Sequence, residues 1–263
     1  MNIQKLRKTL QIAILIGIFI VPILNLFEIY FIRGTFISMD IGSLAIADPA
    51  MILQTVFADV PFAYTVVASV ALPVLIALIL GRVWCSWACP YTTIIELLEK
   101  IPAIGRRLKQ SKAKISGGVA PRNAIIRYLI FVTLLAITGV LGVPILQLLS
   151  PPSVLSSQAL LAVKGFAITA ELLLIVILLI VELFSYRFAC RYLCPTGTCL
   201  SLLNNRKTLH VSYAGSCLNC KKCIQACDMG LNPMTEGSDR LCHNCGKCIA
   251  VCPDKAKPLG WKI

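Results

Sequence analysis

Eight cysteines between Cys217 and Cys252 form two copies of one run. The first is Cys217-x2-Cys220-x2-Cys223-x3-Cys227; the second is Cys242-x2-Cys245-x2-Cys248-x3-Cys252, followed by Pro253. An iron–sulfur cubane needs four thiolates converging on a compact cluster. Two Cys-x2-Cys steps supply three of them from one tight loop, and the fourth comes from elsewhere. In proteins with two clusters, the fourth cysteine of each run serves the other cluster. The spacing therefore predicts one [4Fe–4S] cluster on Cys217, Cys220, Cys223 and Cys252, and another on Cys242, Cys245, Cys248 and Cys227. Zinc sites draw on Cys-x2-Cys pairs separated by a longer spacer, which these runs do not match. The exchange of ligands ties the two halves together, which suits a domain of under sixty residues with little core.

Four more cysteines repeat a different pattern. Cys85-x3-Cys89-Pro90 and Cys190-x3-Cys194-Pro195 each follow basic and aromatic residues, Arg82 and Trp84 in one case, Arg187 and Phe188 in the other. The repeat points to an internal duplication of a two-span unit. Proline favours the first turn of a helix, so Cys89 and Cys194 are expected at helix N-termini. There the helix end and nearby arginine would lower a thiol pKa. The count of four at one depth predicts a further redox metal centre on Cys85, Cys89, Cys190 and Cys194; a reversible dithiol is the other chemistry they permit. Cys199 has no partner in this scheme and reads as structural.

The elements that must position these thiols are hydrophobic. The chain has 263 residues and 57% hydrophobic content, with mean hydropathy +0.81. This is a membrane composition. Four stretches near Leu10–Ile32, Val60–Leu80, Ala124–Leu148 and Gly165–Phe184 approach the roughly 20 apolar residues that cross a bilayer. The first has a basic start but no small-residue cleavage site after it, so it reads as a retained anchor. Twenty-three of the 25 Lys and Arg lie at the N-terminus, in Arg82–Arg127 or after Tyr186, against Arg33 and Lys164 in the other two connections. The bias puts both termini and the loop 81–123 in the cytoplasm. The fold class expected is an all-α membrane protein: four transmembrane helices over residues 1–205, then a bacterial-type two-[4Fe–4S] ferredoxin domain over 206–263. All thirteen cysteines then face a reducing compartment, which favours metal ligation over disulfides. Short strands are expected at Thr208–Tyr213 and Leu259–Lys262, and a polar surface loop at Met229–Arg240.

Several classes are excluded. The net charge of +13 is accounted for by orientation signal and anionic lipid, so no nucleic acid is expected. Both histidines, His210 and His243, lie in the tail and no Cys-x2-Cys-His occurs, so no haem is expected. No glycine-rich nucleotide loop is present. Acidic residues within spans are costly and mark function. Glu28 and Glu171 are candidates for a quinol proton path, and Glu182 for a pair with Arg187. Asp40 and Asp48-Pro49 are placed in an external loop suited to docking a partner.

Four spans, the two Cys-x3-Cys-Pro motifs and the ferredoxin runs resemble the NapH/MauN group of ferredoxin-type membrane proteins. Ala47-Asp48-Pro49 with Leu53-Gln54, and Cys85-Ser86-Trp87-Ala88-Cys89-Pro90, are similar to that group's first external loop and first cysteine motif. Asp228, after Cys227, stands where proline is expected. The resemblance implies an iron–sulfur electron-transfer subunit of a quinol dehydrogenase in the cell inner membrane. It would pass electrons from quinol towards a periplasmic reductase of the nitrate type. A ferredoxin-type subunit and a multihaem cytochrome are the implied partners. A membrane-bound copper reductase or oxidase assembly factor is the alternative class. It usually carries a soluble domain after the ferredoxin, and the chain stopping at Ile263 ranks it second. A redox sensor with an external flavin domain ranks third.

Overall fold

A computed structural model describes residues 3–27, 32–36, 38–41, 44–57, 64–115, 120–165, 169–204, 208–214, 217–253 and 258–262. The first half runs α1 (Ile3–Leu26), β1 (Ile32–Thr35), β2 (Ser38–Ile41), β3 (Leu44–Ala47), α2 (Pro49–Phe57), α3 (Tyr64–Leu80), α4 (Val83–Trp87), α5 (Pro90–Leu98) and α6 (Pro102–Ile115). The second runs α7 (Ala120–Leu141), α8 (Ile145–Leu148), α9 (Pro151–Val163), α10 (Ala170–Phe184), a π-helical turn at Ala189–Leu193, and α11 (Pro195–Leu203). The tail adds β4 (His210–Tyr213), α12 (Lys222–Ala226), α13 (Lys247–Ala250) and β5 (Leu259–Lys262).

Helices α1, α3, α7 and α10 occupy the four apolar stretches. Among the described residues α1 alone is long and apolar enough to cross a membrane by length and composition; Val67–Leu80 and Ile125–Leu141 are shorter apolar helices. The bundle is apolar outside and buries many polar side chains among the apolar ones inside. Leu75, Ile79, Leu129, Val132, Val140, Leu173 and Ile180 are exposed, whereas Arg7, Gln11, Gln54, Arg127 and Thr138 are buried. A water-soluble fold shows the reverse.

The all-α expectation needs correction. Strands β1, β2 and β3 form an antiparallel meander, order β1-β2-β3, with Arg33 opposite Asp40 and Asp40 opposite Ala45. Asp40 lies on this meander. The segment expected as an external loop folds back along the bundle. Phe36 stacks on Trp84 at 5.3 Å, and Asp48 accepts a hydrogen bond from Thr196. The second connection does the same: Ser150, ahead of Pro151, lies 3.1 Å from the Thr196 hydroxyl. The two units cross over, α2 packing on α7 and α11 while α9 packs on α1 and α5. Each connection therefore covers the helix that follows the other unit's cysteine motif.

The predicted tail strands pair as β4 and β5, His210 opposite Lys262 and Tyr213 opposite Leu259. The stretch Met229–Arg240, expected as a surface loop, is partly core. Met229 and Leu231 are buried with Leu241. Gly237 passes beneath β4, where a Cβ would lie 2.0 Å from the Val211 carbonyl oxygen. Gly237→Ala is therefore expected to destabilise the tail by about 1–3 kcal/mol. Thermal loss of cluster absorbance checks this, and an unchanged midpoint would contradict it.

Candidate functional site

The two runs fold alike because their local sequences match. Asn219 and Asn244 both take φ +52°, and Lys221 and Gly246, two positions on, take φ +57° and +67°. Two left-handed residues flanking the second cysteine curl each loop around its own thiols, and a one-turn helix, α12 or α13, follows. Asparagine tolerates this conformation and glycine prefers it. At Gly246 a Cβ would also meet the Trp261 ring at 3.0 Å.

Two cavities result. One is lined by Cys217, Cys220, Cys223 and Cys252. The other is lined by Cys227, Cys242, Cys245 and Cys248. Cys220 is exposed and Leu218 beside it is 71% exposed, so the first cavity is the outer one. Burial pushes the Cys227 thiol up to about 11 and the Cys242 thiol up to about 12. Iron must therefore displace protons to enter the inner set. A mononuclear zinc site with Zn–S near 2.3 Å would hold its sulfurs roughly 3.8 Å apart. Among the described residues the one group with ligand atoms all within 4.8 Å is Asp228, His243 and Cys245, so neither quartet is drawn in that tightly.

The Cys-x3-Cys-Pro cysteines come together from both units. Cys89 caps α5 and Cys194 caps α11, each with proline at the first turn. Cys89 is close enough to Cys85 to feel its charge, Cys190 to feel both, and Cys194 to feel all three. The Gly197 amide donates to Cys194 Sγ at 3.4 Å. The expectation of lowered thiol pKa values does not hold for the metal-free chain. Burial outweighs the helix ends and arginines, holding Cys89 near 11, Cys190 near 12 and Cys194 well above its ordinary value.

Buried arginines surround this quartet. Nη2 atoms of Arg82 and Arg127 both lie 3.1 Å from where a Gly197 Cβ would sit, with Cys194 Sγ at 3.6 Å. Arg127 faces Cys194 and Cys85, and Arg187 faces Cys190. Arg82 Nε, both Arg127 Nη atoms, Arg187 Nε and Nη1 and Arg191 Nε have no protein hydrogen-bond partner. Buried guanidinium nitrogens without a partner are costly; Arg187 is also paired with Asp228 and Glu96, and an anionic thiolate-bound cluster would satisfy the nitrogens left over. The residues present fit such a group.

The quartet adjoins the inner cavity. Cys190, Cys227 and Cys242 pack against one apolar cluster of Met229, Leu231 and Leu241. Hydrogen bonds fix that contact. Arg82 donates to the Arg240 and Leu241 carbonyls, Ser86 to the His243 carbonyl, and Trp87 to the Asn244 carbonyl. Asn244 in turn donates to the Leu80 and Leu209 carbonyls.

What Asp228 does is invisible in the sequence, where it reads only as a missing proline after Cys227. Its carboxylate is fully buried and bridges Lys112 at 2.6 Å, Lys247 at 2.7 Å and Arg187 at 3.5 Å. Glu96 extends the network to Arg7 at 2.9 Å, Lys247 at 3.1 Å and Arg187 at 3.7 Å. Burial would raise the Asp228 carboxyl; Lys247, Arg187 and Lys112 overturn this and hold it well below the usual range. With both oxygens taken by ammonium groups, the trio with His243 and Cys245 is an electrostatic cluster unsuited to a further cation. The network joins α1, α5, α6 and α13 to the segment after α10 and so clamps the tail to the bundle.

The remaining candidates lie apart. Arg187 forms its ion pairs with Asp228 and Glu96, not with Glu182. Glu182 accepts from Tyr91 and from the Phe188 and Ala189 amides. Glu171 accepts from Ser157 on α9. Glu28 lies outside the described residues. Cys199 packs with Ala50, Phe131 and Leu146.

A family model for a 4Fe-4S binding domain matches residues 62–110 and 168–211. Those segments hold the two Cys-x3-Cys-Pro motifs, so the same model recognises both halves of the duplication. Both halves therefore resemble a 4Fe-4S binding domain, which points to iron–sulfur electron transfer. Relatives narrow it. It is 25% identical to the ferredoxin-type protein NapH of Escherichia coli, over 76% of the chain and 67% of the relative. It is 28% identical to the methylamine utilization ferredoxin-type protein MauN of Paracoccus denitrificans, over 84% and 74%. A putative electron transport protein, YccM of Escherichia coli, is 28% identical over 59% of the chain and 43% of its own length. These likenesses support a NapH/MauN-type ferredoxin protein. No solved structure matches it.

Proposed function

We propose that the chain is the membrane-embedded iron–sulfur subunit of a quinol-oxidising complex, passing electrons from quinol towards a periplasmic reductase of the nitrate type. Residues 1–205 form a four-span membrane domain, and residues 206–263 a ferredoxin domain on the cytoplasmic side. The inside-out burial of the bundle supports the spans, since exposed aliphatic faces need a lipid solvent. The cytoplasmic assignment rests on the distribution of Lys and Arg. Cys217, Cys220, Cys223 and Cys252 hold one [4Fe–4S] cluster, and Cys227, Cys242, Cys245 and Cys248 the other. Cys85, Cys89, Cys190 and Cys194 hold a third redox centre. When bound, these groups supply one-electron transfer. A ferredoxin-type subunit and a multihaem cytochrome are the partners that the resemblance suggests.

One observation carries this reading. Cys190 shares an apolar contact with Cys227 and Cys242, which makes the third set continuous with the inner cluster site. The protein's own work is to hold three centres in line, to exclude water between them and to neutralise their charge with arginine. Quinol added to membranes is expected to produce cluster EPR signals that a quinone-site inhibitor abolishes. Clusters reducible by dithionite but silent to quinol would rule the reading out.

A further inference from the structure

A cavity of about 270 Å³ lies between the meander, α3 and the start of α11. Small-molecule sites begin at roughly that size. Phe36, Ile46, Leu72, Ile76, Trp84 and Leu200 make its wall apolar. Leu72 and Ile76 also belong to the exposed face of α3, so the cavity adjoins the surface assigned above to lipid. Phe36 and Trp84 stack within 24° of parallel and present a flat aromatic side.

Two polar side chains enter this wall. Thr196 donates to one Asp48 oxygen, and the other accepts from the Ala50 amide at 2.9 Å. Burial raises the Asp48 carboxyl, with the hydrogen bonds from Thr196 and Ala50 opposing it. Capping α2 explains one of these bonds, and serine or asparagine would cap as well. Capping does not explain why a carboxyl meets a hydroxyl from the other cysteine unit inside an apolar cavity. Trp84 directly precedes Cys85, and Thr196 follows Cys194 by two residues. The cavity is therefore built from residues contiguous with both motifs.

We propose that this cavity binds the ring of a hydroquinone, the Asp48–Thr196 pair hydrogen-bonding a ring hydroxyl and the Phe36–Trp84 wall flanking the ring. The chemistry selects the ligand. A flat, mostly apolar molecule with a polar end, arriving from lipid, fits. An acyl chain leaves the carboxyl–hydroxyl pair unused, and an ionic headgroup meets an apolar wall. The inference rests on the quinol reading and gives it a place that the sequence candidates Glu28 and Glu171 did not.

Photolabelling with a short-chain azidoquinone, on the full chain in lipid vesicles, tests it. Label is expected on peptides carrying Ile46–Asp48 and Leu72–Trp84, and excess unlabelled quinone should remove it. Thr196→Val is expected to weaken labelling about tenfold, the loss one hydrogen bond to a buried carboxyl carries. Ala77→Phe, which fills the cavity, should abolish it; tail-cluster absorbance confirms that each variant folds. Label elsewhere, or labelling indifferent to both variants, overturns the site. Quinol-driven cluster reduction, followed in parallel, separates the two ideas. Reduction with label elsewhere overturns only the site, and label here without reduction upholds the site while rejecting the function. Absence of both overturns both.

Discussion

Serine at both Cys85 and Cys190 is expected to lower the iron content of the purified protein to about eight per chain, with the tail-cluster EPR signals retained. The intact chain should hold well above eight, since two cubanes account for about eight and a third centre adds to them. The expectation rests on two independent features. The four sulfurs approach one another from both halves of the duplication. Arg82, Arg127 and Arg187 beside them keep nitrogen atoms with no hydrogen-bond partner among the described residues. Four merely packed cysteines would explain the first feature and not the second, because buried guanidinium nitrogens left without a partner are costly. Iron unchanged by the double substitution would leave the arginines unexplained and remove the third centre.

Asp228→Ala is expected to destabilise the docked tail by about 3 kcal/mol. Breaking a buried ion pair costs roughly 3–5 kcal/mol. Glu96 keeps Arg187 and Lys247 paired, so the lower end applies, and Lys112 loses its one acidic partner among the described residues. Hydrogen exchange at α6 and α13 should rise while the bundle stays protected. Because the folded carboxyl lies below its ordinary value, its stabilisation is complete above about pH 3.9, the unfolded value. It is lost as pH falls through the lower folded value. The alanine variant should lack that acid-labile component. Exchange unchanged in the variant would show that the apolar contact of Met229, Leu231 and Leu241 holds the tail alone.

Local chemistry was legible. Matching runs with asparagine and glycine at matching positions curl alike. Proline after Cys89 and Cys194 starts helices there, and β4 and β5 pair where strands were expected. What escaped was set by contacts between distant residues. Asp228 reads as a misplaced proline until Lys112 and Arg187 arrive from 116 and 41 positions away. Asp48 reads as a loop residue until Thr196, 148 positions on, meets it. The meander hid because its strands are four residues each and lie in a segment that hydropathy marks only as a gap between spans.

The sequence by itself determined which thiols share the spacing of cluster ligands, because that spacing within a run is fixed by a few local backbone angles. The tertiary structure alone decided what surrounds those thiols. Folding back both connections placed a carboxyl, a hydroxyl and an aromatic pair beside the cysteine motifs, and crossing the two units turned four arginines inward. Burial then sets the energies: far from water, each of these groups must find a partner, and the partners come from the other half of the chain.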